Sequence, residues 1–386
     1  MSPEAERAEV FEPADGTVPS LRAQLWAETM RGHGDPHQTG LVRAHAASHA
    51  RVGPGRTVDR LAREAYEREV LRPGATLAEG AGHRARPEEP DPERTCFERD
   101  RDRVVHSTAF RRLAGKTQVV VHPTDHQRTR LTHALEVAQI ATSIARGVGV
   151  NATLADAIAL GHDCGHGPGG HASEDAFDAF VPGGFDHGPW GADVSLADLN
   201  LCAETLDGIR NHSWSRPAPT TVEGEIVSWA DRIAYCAHDL EDAVHAGIVA
   251  ADEIPAVVAE VAGRTRREQL GHFVRAVVRA VEEHGEVGMA ADSAAALASL
   301  RAFNYERIYV RPESLAQSHA VVRVLQALVE HFAARPDALP ATVVRTDDHV
   351  RDAVTYVAGM TDRFAFDLAV RDLGWDAALL PHPAER

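Results

Sequence analysis

The chain has 386 residues, 44% hydrophobic and 25% charged, an ordinary globular balance over a length of two to three domains. Charges interrupt every apolar run before the ~18 residues a membrane span needs, and the acidic opening MSPEAERAEVFEPADG lacks the basic and apolar parts of a secretory signal. A net charge of −17 argues against coating nucleic acid through the overall field. Four cysteines (Cys96, Cys164, Cys202, Cys236) without CxxC spacing argue against a disulfide scaffold or zinc ribbon, so a cytoplasmic enzyme is expected.

Residues 1–56 read as an N-terminal extension, mostly loop or disordered, within which Leu21–Arg31 can form a short helix. A helix is expected over about 57–71, where Val58, Leu61, Ala65 and Val70 approximate one face. Residues 72–93, rich in Gly, Pro and Glu, read as a long loop. From Arg94 onward helical periods dominate. Leu131, Ala134, Leu135, Ala138, Ala141, Ile144 and Val148 predict a helix over about 128–146, stopped by Gly147 and Gly149. Thr153 with Asp156 reads as a capping box, and so does Thr220 with Glu223, ahead of a helix whose apolar positions run from Ile226 to Val244. Further helical patterns cover about 253–263, 266–283, 291–303, 313–334 and 345–358, and only Gln118–His122 reads as a short strand. The predicted class is all-α, with a helical core over about 57–380 and at most short strands.

Between Arg94 and Arg130 nine basic residues stand against four acidic ones, a local positive excess that suits a phosphate compound. It contains Lys116, the single lysine of the chain. Three predicted helices then deliver metal-type ligands: His133, with Arg130 one turn before it; the adjacent His162 and Asp163; and Asp231, with Tyr235 one turn after it. Neighbours on a helix point about 100° apart, so His162 and Asp163 can flank a cation but not enclose it. His133 and Asp231 are the candidates to complete the set, which suits a catalytic divalent ion. In the stretch HGPGGHASE the glycines and proline break the helix, and His171 and Glu174 fall on one face of the next one. Such a pair can relay a proton; its plainer alternative is an N-terminal cap with Glu174 answering the helix dipole.

RDRDRVVHSTAFRRLAGKTQV, DHQRTRLTHALEVAQIA, ALGHDCGHGPGGHASEDAF, GGFDH, DGIRNHS, VEGEIVSWADRIAYCAHDLEDA, NYERIY and YVAGMTDRFA resemble, in order over roughly residues 60–370, the motifs of one family. It is the bacterial deoxyguanosine triphosphate triphosphohydrolase-like family of HD-domain phosphohydrolases. The resemblance implies an HD-domain helical bundle with additional C-terminal helices at 57–386, with a metal core of about 106–250 and a C-terminal part of about 251–386. It implies metal-dependent hydrolysis of a deoxynucleoside triphosphate to deoxynucleoside and triphosphate by water attack at the α-phosphorus. By the same resemblance His133, His162, Asp163 and Asp231 hold manganese or magnesium, and His171, Glu174 and His187 are catalytic. Arg130, His166, Lys116 and Arg232 contact phosphate, while Tyr235, Asp239, Gln118 and Asp362 line the sugar and base pocket. Relatives assemble as closed homo-oligomers, so the same is expected of this chain. Another HD phosphohydrolase (a nucleotidase, phosphodiesterase or alarmone hydrolase) and a non-catalytic nucleotide sensor are the alternative readings.

Overall fold

A computed structural model describes residues 20–30, 32–34, 40–80, 82–119 and 127–381, in two units, Met1–Thr57 and Val58–Arg386. In the first unit the Ser20 hydroxyl accepts from Ala23 N–H and starts α1 (Leu21–Glu28), where a short helix is expected. Two-residue strands β1 (His33–Gly34) and β2 (Val42–Arg43) pair antiparallel.

The described residues of the second unit hold helices and no strand, so the fold class is all-α. In chain order they are α2 (Arg60–Val70), α3 (Cys96–His106), α4 (Thr108–Arg112), α5 (Arg130–Val148), α6 (Ala152–Gly161), α7 (Ala172–Asp178), α8 (His187–Trp190) and α9 (Ala203–Asn211). There follow α10 (Val222–His245), α11 (Ala256–Val261), α12 (Arg266–His284), α13 (Ala291–Asn304), α14 (Pro312–Ala334), α15 (His349–Ala358) and α16 (Asp362–Leu373). No helix among the described residues is long and apolar enough to cross a membrane.

Four local expectations are corrected. Asn151, not Thr153, caps α6, its side chain accepting from Thr153 and Leu154 N–H. Thr221, not Thr220, caps α10, and Glu223 instead accepts from Thr76 and Asn151. The apolar set of α2 does not face the core: Val58 and Leu61 are 61% and 64% exposed, and Glu64 is buried in their place. Polar contacts fix that rotation, because Arg60 clasps Glu64 at 2.7 Å and Glu67 accepts from Ala78 N–H at 2.7 Å. Gln118 and Val119 form a bend rather than a strand, and 120–122 lie outside the described residues.

Helices α5, α6 and α10 pack on one another, with α3 and α9 against α6 and α12 and α13 against α10. Their shared core includes Phe97, Ile144, Ile158, Ile209, Ile226 and Phe273, all fully buried; each such side chain contributes about 1.5–3 kcal/mol. A second core, with Phe177, Phe185, Trp190, Val321, Leu325 and Phe366, joins the α7–α8 region to α14, α15 and α16. After α13 the chain makes one π-helical turn, Tyr305–Tyr309, the kind of irregularity that often marks a functional site.

Candidate active site

His133 projects from the second turn of α5, His162 and Asp163 close α6, and Asp231 stands in the third turn of α10. The packing of these three helices brings all four together. His133 Nε2 lies 3.0 Å from Asp231 Oδ1 and 3.9 Å from Asp163 Oδ2. His162 Nε2 lies 3.4 Å from Asp163 Oδ1 and 3.7 Å from Asp231 Oδ1. His162 donates its Nδ1–H to the Ala159 carbonyl at 2.6 Å, which turns Nε2 toward the two carboxylates, buried and without a hydrogen-bond partner among the described residues. Burial alone pulls the His162 imidazole down, but the carboxylates of Asp163 and Asp231 outweigh it and hold it up at about 9. Two imidazoles and two carboxylates at this spacing ask for positive charge among them, so the donor set fits a divalent cation.

A second group of side chains abuts the first. Gly165 lets the 187–191 segment approach, since a Cβ there would collide with the His187 carbonyl oxygen. His187 Nδ1 then lies 2.5 Å from Glu174 Oε1, and its ring stacks on His166 with centroids 3.8 Å apart. His171, 74% exposed, reaches the same Glu174 oxygen at 3.5 Å. The burial that would raise the Glu174 carboxyl is overcome by the hydrogen bonds from His171 and His187, which hold it well below the usual carboxylate range. His212 is a member of this group that the sequence reading did not single out. It is buried, donates Nδ1–H to Ile209 O at 2.8 Å, and sets Nε2 3.0 Å from His187 Nε2. Its motif, DGIRNHS, was visible; its contact with His187 was not, because α9 meets α8 only in the fold.

Both groups border a cavity of about 430 Å³ that also reaches α13 and α14, within the size range of small-molecule sites. Arg130 enters it from α5, donating Nη1–H to Asp163 Oδ2 at 2.7 Å while Nε and Nη2 have no partner among the described residues. Gly170 makes room for that fork, for a Cβ would sit 2.7 Å from Arg130 Nη2. Gln118, His166, Arg232, Tyr235 and Asp239 also line the cavity, as do Arg301 and Arg311, which the sequence reading did not single out. Arg301 donates Nε–H to the Tyr235 hydroxyl at 2.9 Å. Tyr309 donates its hydroxyl to Asp239 Oδ2 at 2.6 Å, but burial prevails and raises the Asp239 carboxyl to about 7.

Neither His162 nor Glu174 lines the cavity itself, and of the residues expected to contact substrate Lys116 and Asp362 do not. Lys116 is buried, its ammonium donating to the carbonyls of His166 and, at 3.0 Å, Ala358, and desolvation pulls it down to about 8. Asp362 accepts from Thr117 N–H (2.9 Å) and hydroxyl (2.5 Å) and from Gly169 N–H (2.8 Å). Both act as ties between the loop after α6 and the C-terminal helices. The basic stretch is likewise spent elsewhere. Arg94 pairs with Asp91 and Asp102, Arg99 and Arg103 with Glu88, Arg101 with Asp156, and Arg128 with Glu136, Glu241 and Asp242. Of the nine basic residues only Arg130 lines the cavity.

Residues 130–236 match the HD domain and residues 287–371 the phosphohydrolase-associated domain. Among curated proteins, the deoxyguanosinetriphosphate triphosphohydrolase-like protein of Caldanaerobacter subterraneus subsp. tengcongensis is 38% identical, covering 83% of this chain and 95% of its own. Its namesake in Clostridium perfringens strain 13 is 37% identical, covering 78% and 93%. Among solved structures, a hypothetical protein from Aquifex aeolicus is 17% identical with a TM-score of 0.46, covering 72% of this chain and 69% of that one.

Proposed function

The chain belongs to the deoxyguanosinetriphosphate triphosphohydrolase-like family of HD-domain proteins, and from that premise we propose that it hydrolyses a deoxynucleoside triphosphate to the deoxynucleoside and intact triphosphate. The observation that carries this reading is the meeting of His133, His162, Asp163 and Asp231, three of which line the cavity, with an Arg130 fork two of whose nitrogens have no partner among the described residues. Manganese or magnesium is the ion this donor set would take, supplying Lewis-acid polarisation of a phosphoryl oxygen and activation of water.

The chain's own side chains supply positioning and charge, which carry most of phosphoryl-transfer catalysis. Arg130 and Arg232 neutralise the phosphates. His187 meets a partner at each ring nitrogen, Glu174 Oε1 at Nδ1 and His212 Nε2 at Nε2. In this reading it delivers a proton to the departing O5′, with Glu174 orienting it and His171 exchanging protons with solvent. Tyr235, one turn beyond Asp231 and fixed by Arg301, packs against the deoxyribose where a 2′-hydroxyl would meet the ring.

Incubating the protein with each deoxynucleoside triphosphate and manganese, then resolving the products by anion-exchange chromatography, tests the proposal. Deoxynucleoside plus triphosphate is expected. Release of pyrophosphate or orthophosphate would move the chain to another HD phosphohydrolase activity, and thermal stabilisation by an unconsumed nucleotide would make it a sensor.

A further inference from the structure

Arg232 follows Asp231 on α10 and so emerges about 100° round the helix from that carboxylate. Its guanidinium carbon lies 3.4 Å from the ring centroid of Trp214, in the loop between α9 and α10. The indole is itself pinned. Its Nε1–H donates to Ser228 O at 3.1 Å, and its ring meets Trp229 edge-on with centroids 4.7 Å apart. Trp214 and Arg232 both line the cavity beside Asp231, yet Trp214 is 46% exposed, an unusual place to leave so much apolar surface.

The stack explains that exposure. A guanidinium lying on an aromatic face is held by the ring's quadrupole while its N–H donors stay free along the edge. A carboxylate would hold the same arginine by occupying those donors, as Glu88 does for Arg103. Arg232 has no ion-pair partner among the described residues, and its buried Nε has no hydrogen-bond acceptor. We propose that Trp214 is a positioning residue that holds Arg232 flat, so that the planar N–H edge is presented to the polyphosphate of the substrate. That the anion is a triphosphate rests on the function proposed above; the stack and its unused donors do not.

Calorimetric titration of the full-length protein with inorganic tripolyphosphate, alongside steady-state turnover of a deoxynucleoside triphosphate, tests this. Trp214→Ala is expected to weaken tripolyphosphate binding by about tenfold, and Trp214→Phe, which keeps a ring face, to recover most of it. In turnover the loss should appear in KM more than in kcat. In an Arg232→Ala background Trp214→Ala should add nothing. Should Trp214→Ala unfold the protein, Arg232→Lys supplies the same test, since it keeps the charge and loses the plane and fork. It is expected to match the tenfold loss. Binding unchanged in Trp214→Ala, or an equal loss with and without Arg232, overturns the inference. Tryptophan-dependent tripolyphosphate binding without hydrolysis would sink the catalytic reading and keep this one; hydrolysis with no tryptophan dependence would do the reverse.

Discussion

On α3 and the loop before it, Arg94, Arg99, Arg101 and Arg103 each close on a carboxylate, brought in by the turn at Asp91, the loop at Glu88 or α6 at Asp156. In the cavity wall Arg130 spends one nitrogen on Asp163 and keeps two without a partner among the described residues, Arg232 rests on an indole, and Arg301 and Arg311 donate to hydroxyls of Tyr235 and Ser314. The same side chain is thus neutralised in one region and left with donors to spare in the other. A run of basic residues offers donors to a ligand only where folding leaves guanidinium nitrogens that no carboxylate occupies.

The sharpest test removes a charge that the cavity side of this contrast is built to serve. Asp231→Ala should abolish turnover and manganese binding by calorimetry while circular dichroism retains the helix content; turnover within a few-fold of wild type would remove the metal assignment. Next comes Arg130→Ala, expected to lower kcat/KM on the order of 10²–10³-fold, as for loss of one preorganised donor to a developing charge. A smaller effect attaches to Asp239, a buried carboxylate that no arginine grips among the described residues. Its folded pKa of about 7 lies above its ordinary 3.8, so the folded chain keeps a proton that the unfolded chain has released. Stability from this group is present below about pH 4 and is lost as the pH rises to about 7, by up to about 4 kcal/mol. Asp239→Asn should flatten that fall in chemical denaturation at pH 5 and pH 8, and an unchanged slope would reject the shift. Smallest of all, Arg101→Ala, half-exposed on α3, should leave kcat/KM within about twofold and cost less than ~1 kcal/mol of stability. A tenfold loss of activity there would erase the distinction between the two regions.

The convergence of His133, His162, Asp163 and Asp231 was legible because each sits on or at the end of a strongly periodic helix and the adjacent His162 and Asp163 mark a helix end. Helices α5, α10 and α14 were legible for the same periodic reason. The arginines were not, since their fates are decided by Glu88, Asp156 and Glu241, tens of residues away in most cases. The α2 face was misleading because its orientation is set by Glu64 and Glu67, polar residues that periodicity assigns to solvent. Trp214 and His212 lie just beyond the α9 helix end, where spacing carries no information about partners.

The burial of Lys116 has a practical side. It is the single ε-amine in the chain, 3% exposed, wedged between the His166 and Ala358 carbonyls. Acylating reagents therefore find no lysine on the folded surface, and their reaction at this position times the separation of α15 from the loop that carries His166. A single modified peptide in a mass spectrum would report how often that seam opens.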